Sequence, residues 1–223
     1  MKKSSQPQSL TVKKIAAAME ACATNARELI DESDLLVRAD HRARAYFLYH
    51  AACEELAKFF MFDMAGRRVA LGDPPNWSRF WQRLRNHDSK LAQIEVRNRF
   101  APDPGSDESR DLIEAGLGLL STYGILPRNT SLYVDLGPNG TFRKPSDIDW
   151  DVGLPAIRAI AHRLDHIAKE IGTSMGSIAT ALQQPPPEKM RDQAREGFAR
   201  MIERLRLAGV SKEAVVEHLK KLS

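Results

Sequence analysis

Apolar positions repeat every three or four residues along most of the chain, which is the spacing of one face of an α-helix. The repeat predicts five helices, over residues 11–38, 42–70, 77–99, 108–125 and 154–182. The second is apolar on nearly every side, as is typical of a central helix that neighbours surround. The pattern therefore predicts an all-α bundle of about five helices.

The segments outside these helices have distinct compositions. Residues 131–145 carry β-type side chains on both sides of a Gly-Pro-Asn-Gly turn, which predicts a short extended loop or hairpin after the fourth helix. Three prolines make 184–189 a stiff linker. Residues 190–223 predict a C-terminal helical hairpin, because a glycine and a serine in LAGVSKE can end one helix and cap the next. We expect disorder over 1–10 and one bundle over 11–183.

Composition and charge fit a globular protein. The 223 residues are 43% hydrophobic and 28% charged, with a net charge of +4, a mildly basic balance that is compatible with a nucleic-acid partner without requiring one. No stretch approaches the roughly 18 apolar residues of a membrane span, and the N-terminus lacks the apolar core of a secretory signal. We expect a cytoplasmic protein without membrane contact, in which Cys22 and Cys53 are buried reduced thiols.

Several familiar sites are missing from the sequence. It contains no phosphate-binding loop, Gly-x-Ser-x-Gly elbow, His-Glu-x-x-His or Cys-x-x-Cys pattern, and no glutamate lies three residues before a histidine as di-iron bundles require. His162 and His166 are four apart, but a solvated helix face explains them better than a metal does. His50 and Glu54 are predicted to form a hydrogen-bonded pair within the second helix. We predict neither a metal nor a cofactor.

The third predicted helix combines positive charge with aromatic side chains. Such a mixture suits single-stranded nucleic acid, since basic groups attract phosphates and aromatic rings stack on bases. Core packing of the aromatic residues is the alternative. His87 and Lys90, three residues apart, can contact one anionic group. The helix has six basic residues (Arg79, Arg83, Arg85, Lys90, Arg97 and Arg99), two acidic residues (Asp88 and Glu95) and three aromatic residues near its start (Trp77, Phe80 and Trp81).

The segment RNTSLYVDLGPNG, which begins at Arg128, resembles the motif of the HEPN superfamily. That motif has an arginine, usually followed by a polar residue, and a histidine four to six residues later. Arg128 and Asn129 match its first half, and Tyr133 stands in the place of the histidine. Together with AYFLYHAACEELAKFFMF and FWQRLRNHDSKL, the segment is similar to the AbiV branch of abortive-infection proteins over roughly residues 12–180.

The resemblance implies a metal-independent ribonuclease that leaves a 2′,3′-cyclic phosphate on RNA of the translation machinery. Arg128 would hold the phosphate, Asn129 would orient either the phosphate or Arg128, and Tyr133 would donate a hydrogen bond. Because the ordinary pKa of tyrosine is near 10, we expect His87 to supply the base. Glu55 and Lys58 are expected to orient Arg128 and the phosphate. The supporting residues are Glu55, Lys58, Lys90 and Asp135. The alternative is that the whole group is a buried structural network, in which Arg128 pairs with a glutamate, Tyr133 bonds to the backbone and His87 caps a helix.

The resemblance also implies a homodimer with an anti-phage role, whose toxicity is released by a trigger such as a phage-encoded activator protein. Two other functions stay open. A non-catalytic module could bind RNA or protein and block translation, with Tyr133 marking a lost histidine. A transcription factor could use the C-terminal hairpin, although residues 188–223 mix nine basic with six acidic residues, as on a solvated surface.

Overall fold

The computed structural model describes residues 8–101, 105–123, 126–136, 140–173 and 176. The predicted linker, the predicted C-terminal hairpin and residues 1–7 lie outside this range. Within it the chain is all-α, with seven α-helices and one two-stranded antiparallel sheet. The helices are α1 Val12–Arg38, α2 Arg42–Ala70, α3 Trp77–Arg85, α4 His87–Phe100, α5 Asp107–Tyr123, α6 Leu126–Thr130 and α7 Gly153–Ile171.

Helix α2 is the centre of the bundle, as its apolar surface predicts. It packs against α1, α4 and α7, and α7 also packs against α5. The α5 and α7 backbones approach closely at Gly116, where a Cβ atom would lie 2.6 Å from Ile160 Cδ1 and 3.1 Å from the Ala156 carbonyl oxygen. The largest fully buried side chains are Tyr46, Tyr49, Phe59, Phe60, Ile15, Met19, Leu56, Ile94, Ile157, Ile160 and Leu164.

The prediction of a single helix over 77–99 is wrong, because the helix is interrupted at Asn86. The backbone there is extended, with φ −86° and ψ 127°, and Asn86 Oδ1 accepts a hydrogen bond of 2.8 Å from the Ser89 amide. This side-chain cap satisfies an amide that the start of α4 would otherwise leave unpaired. His87 becomes the first residue of α4 as a result.

The region directly after α5 contains a short helix, α6, that we did not predict. Arg128 and Asn129 lie in α6, a helix of five residues, where Pro127 is tolerated because amides in a first helical turn have no intrahelical acceptor. The predicted hairpin follows: β1 (Asp135–Leu136) pairs with β2 (Phe142–Arg143), Asp135 opposite Arg143 and Leu136 opposite Phe142.

None of the described helices has the length and the apolar content that crossing a bilayer requires. Cys22 and Cys53 are buried free thiols, in agreement with the prediction.

Candidate functional site

A buried carboxylate joins three elements of the bundle. Glu54 of α2 is 6% exposed, and its Oε1 lies 2.9 Å from His87 Nδ1 and 3.6 Å from Arg128 Nη1. Its other oxygen, Oε2, accepts a hydrogen bond from Lys90 Nζ. We call these residues, together with His50, the Glu54 cluster. The cluster brings α2, α4 and α6 to one point.

The break at Asn86 explains how α4 reaches the carboxylate. It starts a new helix at His87, so that His87 and Lys90 lie one turn apart on the face towards α2. A helix N-terminus also carries partial positive charge, which suits a nearby anion. We predicted that His87 and Lys90 can contact one anionic group, and in the structure both contact the Glu54 carboxylate.

The cluster carries more positive than negative charge. Burial disfavours the ionised form of Glu54, but the hydrogen bond and charge of Lys90 and the neighbouring histidines outweigh it and hold the pKa of Glu54 below its ordinary value. One carboxylate therefore faces two cations, Lys90 and Arg128. Lys90 is buried, whereas Arg128 is partly exposed and its guanidinium lies 5.1 Å from the centre of the Phe47 ring. The unbalanced positive charge at Arg128 favours an anionic ligand.

The hydrogen bond to Glu54 sets which nitrogen of His87 is free. An ionised carboxylate only accepts hydrogen bonds, so Nδ1 of His87 must carry the hydrogen. In the neutral ring the lone pair is then on Nε2, and the side chain is 42% exposed. An imidazole held in this way can take a proton from a hydroxyl group of a ligand.

His50 differs from the rest of the cluster because its polar atoms lack partners. The residue is 1% exposed, and its Nδ1 lies 3.6 Å from Glu54 Oε1, too far for a hydrogen bond. Neither ring nitrogen has a hydrogen-bond partner among the described residues, and the same holds for Arg128 Nε. Burial, against the opposing charge of Glu54, lowers the pKa of His50 to about 4, so the ring is neutral at pH 7. The hydrogen-bonded pair predicted for His50 and Glu54 is not formed.

A family model for AbiV, of the HEPN class, matches residues 14–165, which is more than half of the chain. The chain belongs to the AbiV family. The AbiV match includes all five residues of the Glu54 cluster, and it identifies the bundle as an abortive-infection HEPN domain. Comparison with curated proteins and comparison with solved structures each gave no match.

Two residues that we expected to orient Arg128 lie towards another helix, α1. Glu55 Oε1 lies 2.5 Å from Lys58 Nζ, and both are near Cys22 of α1, where burial and the charge of Glu55 raise the pKa of the Cys22 thiol to about 11. Glu54, and not Glu55, is the ion-pair partner of Arg128 in the described structure. The prediction that Glu55 and Lys58 orient Arg128 is therefore wrong.

The remaining predicted residues of the segment that resembles the HEPN motif lie on the surface. Tyr133, in the place of the motif histidine, is 65% exposed, and its amide donates to the Asn129 carbonyl. Asn129 and Asp135 are exposed, and Asp135 Oδ1 accepts a bond from the Leu136 amide. Over the described residues, none of these three side chains hydrogen-bonds to the Glu54 cluster.

The two histidines of α7 lie apart from the Glu54 cluster and pair with separate carboxylates. His162 Nε2 is 3.5 Å from Asp34, and His166 Nε2 is 3.4 Å from Glu170. In the ranges that the structure covers, no three His, Cys, Asp or Glu side chains come together to hold a metal ion.

Glu54 was not predicted from the sequence as the centre of the candidate site. Lys58 is three residues after Glu55 and four after Glu54, so helical spacing places it equally well for either carboxylate. The two glutamates point about 100° apart around α2. Only the packing of α4 against α2 decides that Glu54 is buried, and the apolar pattern of α2 contains no signal for that choice.

Proposed function

We propose that this AbiV-family chain is a metal-independent endoribonuclease that cuts RNA of the translation machinery during abortive infection, with the Glu54 cluster as its active site. The observation that carries the proposal is one carboxylate that holds an exposed imidazole, His87, beside a partly exposed arginine with unbalanced charge, Arg128. The pair supplies a proton acceptor and an anion-binding group, which are the two functions that RNA cleavage by the ribose hydroxyl requires.

The proposed reaction begins with the phosphodiester bound by the Arg128 guanidinium, whose planar shape matches phosphate oxygens. His87 Nε2 accepts the proton of the ribose 2′-hydroxyl, and the 2′-oxygen forms a bond to phosphorus. The bond from phosphorus to the 5′-oxygen breaks, and this oxygen receives the proton that His87 holds. The products are a 2′,3′-cyclic phosphate and a 5′-hydroxyl. Glu54 keeps His87 oriented and balances its transient charge.

The test incubates purified protein with total bacterial RNA in EDTA. We expect the wild type to release fragments with cyclic phosphate ends, and Arg128→Ala and His87→Ala to lose at least about 100-fold in rate. His162→Ala is the matched control, because His162 is also a half-exposed histidine beside a carboxylate but lies outside the cluster. Fragments that persist in Arg128→Ala, or intact RNA with the wild type, would contradict the proposal.

A non-catalytic module that binds RNA or protein and blocks translation is the second candidate. The exposure of Tyr133 favours it, since the residue in the place of the motif histidine lies on the surface. A cell-free translation assay separates the two functions: the module inhibits synthesis while the RNA stays intact, whereas the ribonuclease inhibits synthesis only as fragments appear.

The family resemblance supports three further proposals. The chain forms a homodimer, and the exposed side chains of Leu136 and Phe142 are available for such a contact. A phage-encoded protein raises its cleavage rate above the basal rate that the purified chain has. Its location is cytoplasmic, where the translation machinery lies. Sedimentation of the purified chain tests the first of these, and a single species at the monomer mass of 25.0 kDa would exclude it.

A further inference from the structure

Two residues that have unpaired buried nitrogens lie beside one oxygen of the Glu54 carboxylate. His50 Nδ1 and Arg128 Nη1 each lie 3.6 Å from Glu54 Oε1, which places them within about 7 Å of each other. Both nitrogens of His50 and Nε of Arg128 are buried and lack partners in the part of the chain that is described. Most buried polar groups in folded proteins are paired, so exceptions that come together need a specific cause.

The chemistry of the two groups selects the kind of ligand atom that would satisfy both. A neutral imidazole offers one donor and one acceptor, and Arg128 Nε offers only a donor. A phosphate oxygen only accepts, so it would leave the imidazole lone pair unpaired. A hydroxyl group accepts from the arginine and donates to the imidazole. An alcohol of the ligand therefore fits this position better than an anionic oxygen does.

We propose that His50 is a ribose-recognition residue, whose ring nitrogen accepts a hydrogen bond from a ribose 2′-hydroxyl that also accepts one from Arg128 Nε. This inference rests on the proposed function and deepens it, because it explains how the site selects RNA. The hydroxyl belongs to a nucleotide next to the one that is cut. His87 takes its proton at Nε2, because its Nδ1 donates to Glu54. The accepting nitrogen of His50 is also Nε2, because its Nδ1 faces the same ionised carboxylate oxygen at 3.6 Å.

Arg128 and His87 form the solvent-facing side of the cluster. Arg128 is partly exposed on α6 and His87 on α4, whereas His50 is buried on α2, one turn before Glu54. A phosphate bound at Arg128 would bring the neighbouring ribose to the guanidinium, and the hydroxyl of that ribose is the group that reaches inwards. Recognition of the 2′-hydroxyl is the direct means by which a protein distinguishes RNA from DNA.

The test compares two oligonucleotides of one sequence, an all-RNA strand and a DNA strand with a single ribonucleotide at the cut site. We expect the wild type to bind the all-RNA strand about ten-fold more tightly, as one additional hydrogen bond in a buried site implies. In His50→Phe the two affinities should become equal. Phenylalanine keeps a flat ring and removes the two unpaired nitrogens, and His50→Leu serves if the phenylalanine variant does not fold. His162→Phe is the control and should keep the wild-type ratio.

The outcomes separate this inference from the function on which it rests. If the wild type does not cut the strand with the single ribonucleotide, the proposed ribonuclease fails. If it cuts that strand but binds both strands equally, or if His50→Phe keeps the ten-fold ratio, the recognition role of His50 is overturned and the ribonuclease stands. If His50→Phe loses thermal stability but keeps the ten-fold difference in affinity, then His50 binds only a bridging water. That result also overturns the inference.

Discussion

Glu54 and Glu55 have the same side chain at neighbouring positions, and their surroundings decide what each contributes. Glu54 is buried with Lys90 as its hydrogen-bond donor, whereas Glu55 and Lys58 form a partly exposed pair within one helix. A buried pair loses more when one member is removed, because the other charge stays in a medium that solvates it poorly. An exposed pair is worth little, since water screens it.

Replacing each glutamate by glutamine tests this difference. We expect Glu54→Gln to lower the free energy of unfolding by about 3–5 kcal/mol, because it leaves the Lys90 charge buried without a counter-ion. Glu55→Gln should cost less than about 1 kcal/mol. Urea denaturation at pH 7 measures both. Equal losses in the two variants would mean that Lys90 finds another partner or reaches solvent.

His50 should make the protein less stable in mild acid. The ordinary pKa of histidine is about 6.5, and burial lowers that of His50 to about 4 in the native state. Between these values the unfolded chain binds a proton that the native chain does not, so the free energy of unfolding decreases as the pH falls, by about 3 kcal/mol in total. The low pKa of Glu54 acts at lower pH, since its contribution is present above about 4.5 and is lost as the pH falls through its native value.

The comparison of His50→Phe with the wild type isolates this effect. Denaturation in urea at several pH values from 4.5 to about 7 should give a flatter stability profile for the variant, because the proton uptake of the unfolded His50 is removed. His162→Phe, which replaces a half-exposed histidine, serves as the control. Parallel profiles for the wild type and His50→Phe would show that His50 titrates normally in the native protein.

At the scale of the elements, a single asparagine places two residues of the candidate site. Asn86 caps α4 through its bond to the Ser89 amide, and Asn76 caps α3 in the same way through a bond of 3.0 Å to the Arg79 amide. Only Asn86 adjoins the Glu54 cluster. Removing either cap should therefore lower the stability by a similar amount. Only removal of the Asn86 cap should affect the candidate site.

We expect Asn86→Ala and Asn76→Ala each to lower the free energy of unfolding by about 1 kcal/mol, the usual value of a side-chain cap. Asn86→Ala should also reduce RNA cleavage by about ten-fold or more, because His87 is the first residue of the helix that loses its cap. Asn76→Ala should cleave at the wild-type rate. Thermal melting and the fragment assay measure the two effects, and equal cleavage by both variants would contradict a link between the cap and the site.

Helical periodicity was sufficient to predict α1, α2, α5 and the start of α7, because each buries a continuous stripe of apolar residues. It did not predict the break at Asn86, since Trp77, Phe80, Leu84 and Leu91 continue one apolar pattern across it. The five residues of α6 are too few to show a period. The elements that position His87 and Arg128 are thus those that a periodic pattern describes least well, since caps and short helices depend on local hydrogen bonds.

At the scale of the whole molecule, the net charge of +4 should make RNA binding sensitive to salt. Each phosphate contact to a single strand contributes about −0.7 to the slope of log K against log salt, through counter-ion release. We expect Arg128→Ala to make this slope less steep by about 0.7. Arg27→Ala is the control, because Arg27 pairs with Asp165, outside the cluster. Fluorescence anisotropy at several salt concentrations measures the slopes, and identical slopes for the wild type and Arg128→Ala would exclude the phosphate contact.

The unpaired ring of His50 allows a prediction of how this position varies among related sequences. Lys90 and Glu54 support each other within the fold, so selection for stability alone would keep them in a relative that no longer acts on RNA. A buried imidazole without partners has the opposite effect, because an apolar residue of similar shape would suit that position better. Across the family, we expect histidine at the equivalent of His50 to mark the members that still act on RNA and to be replaced early where that activity has been lost.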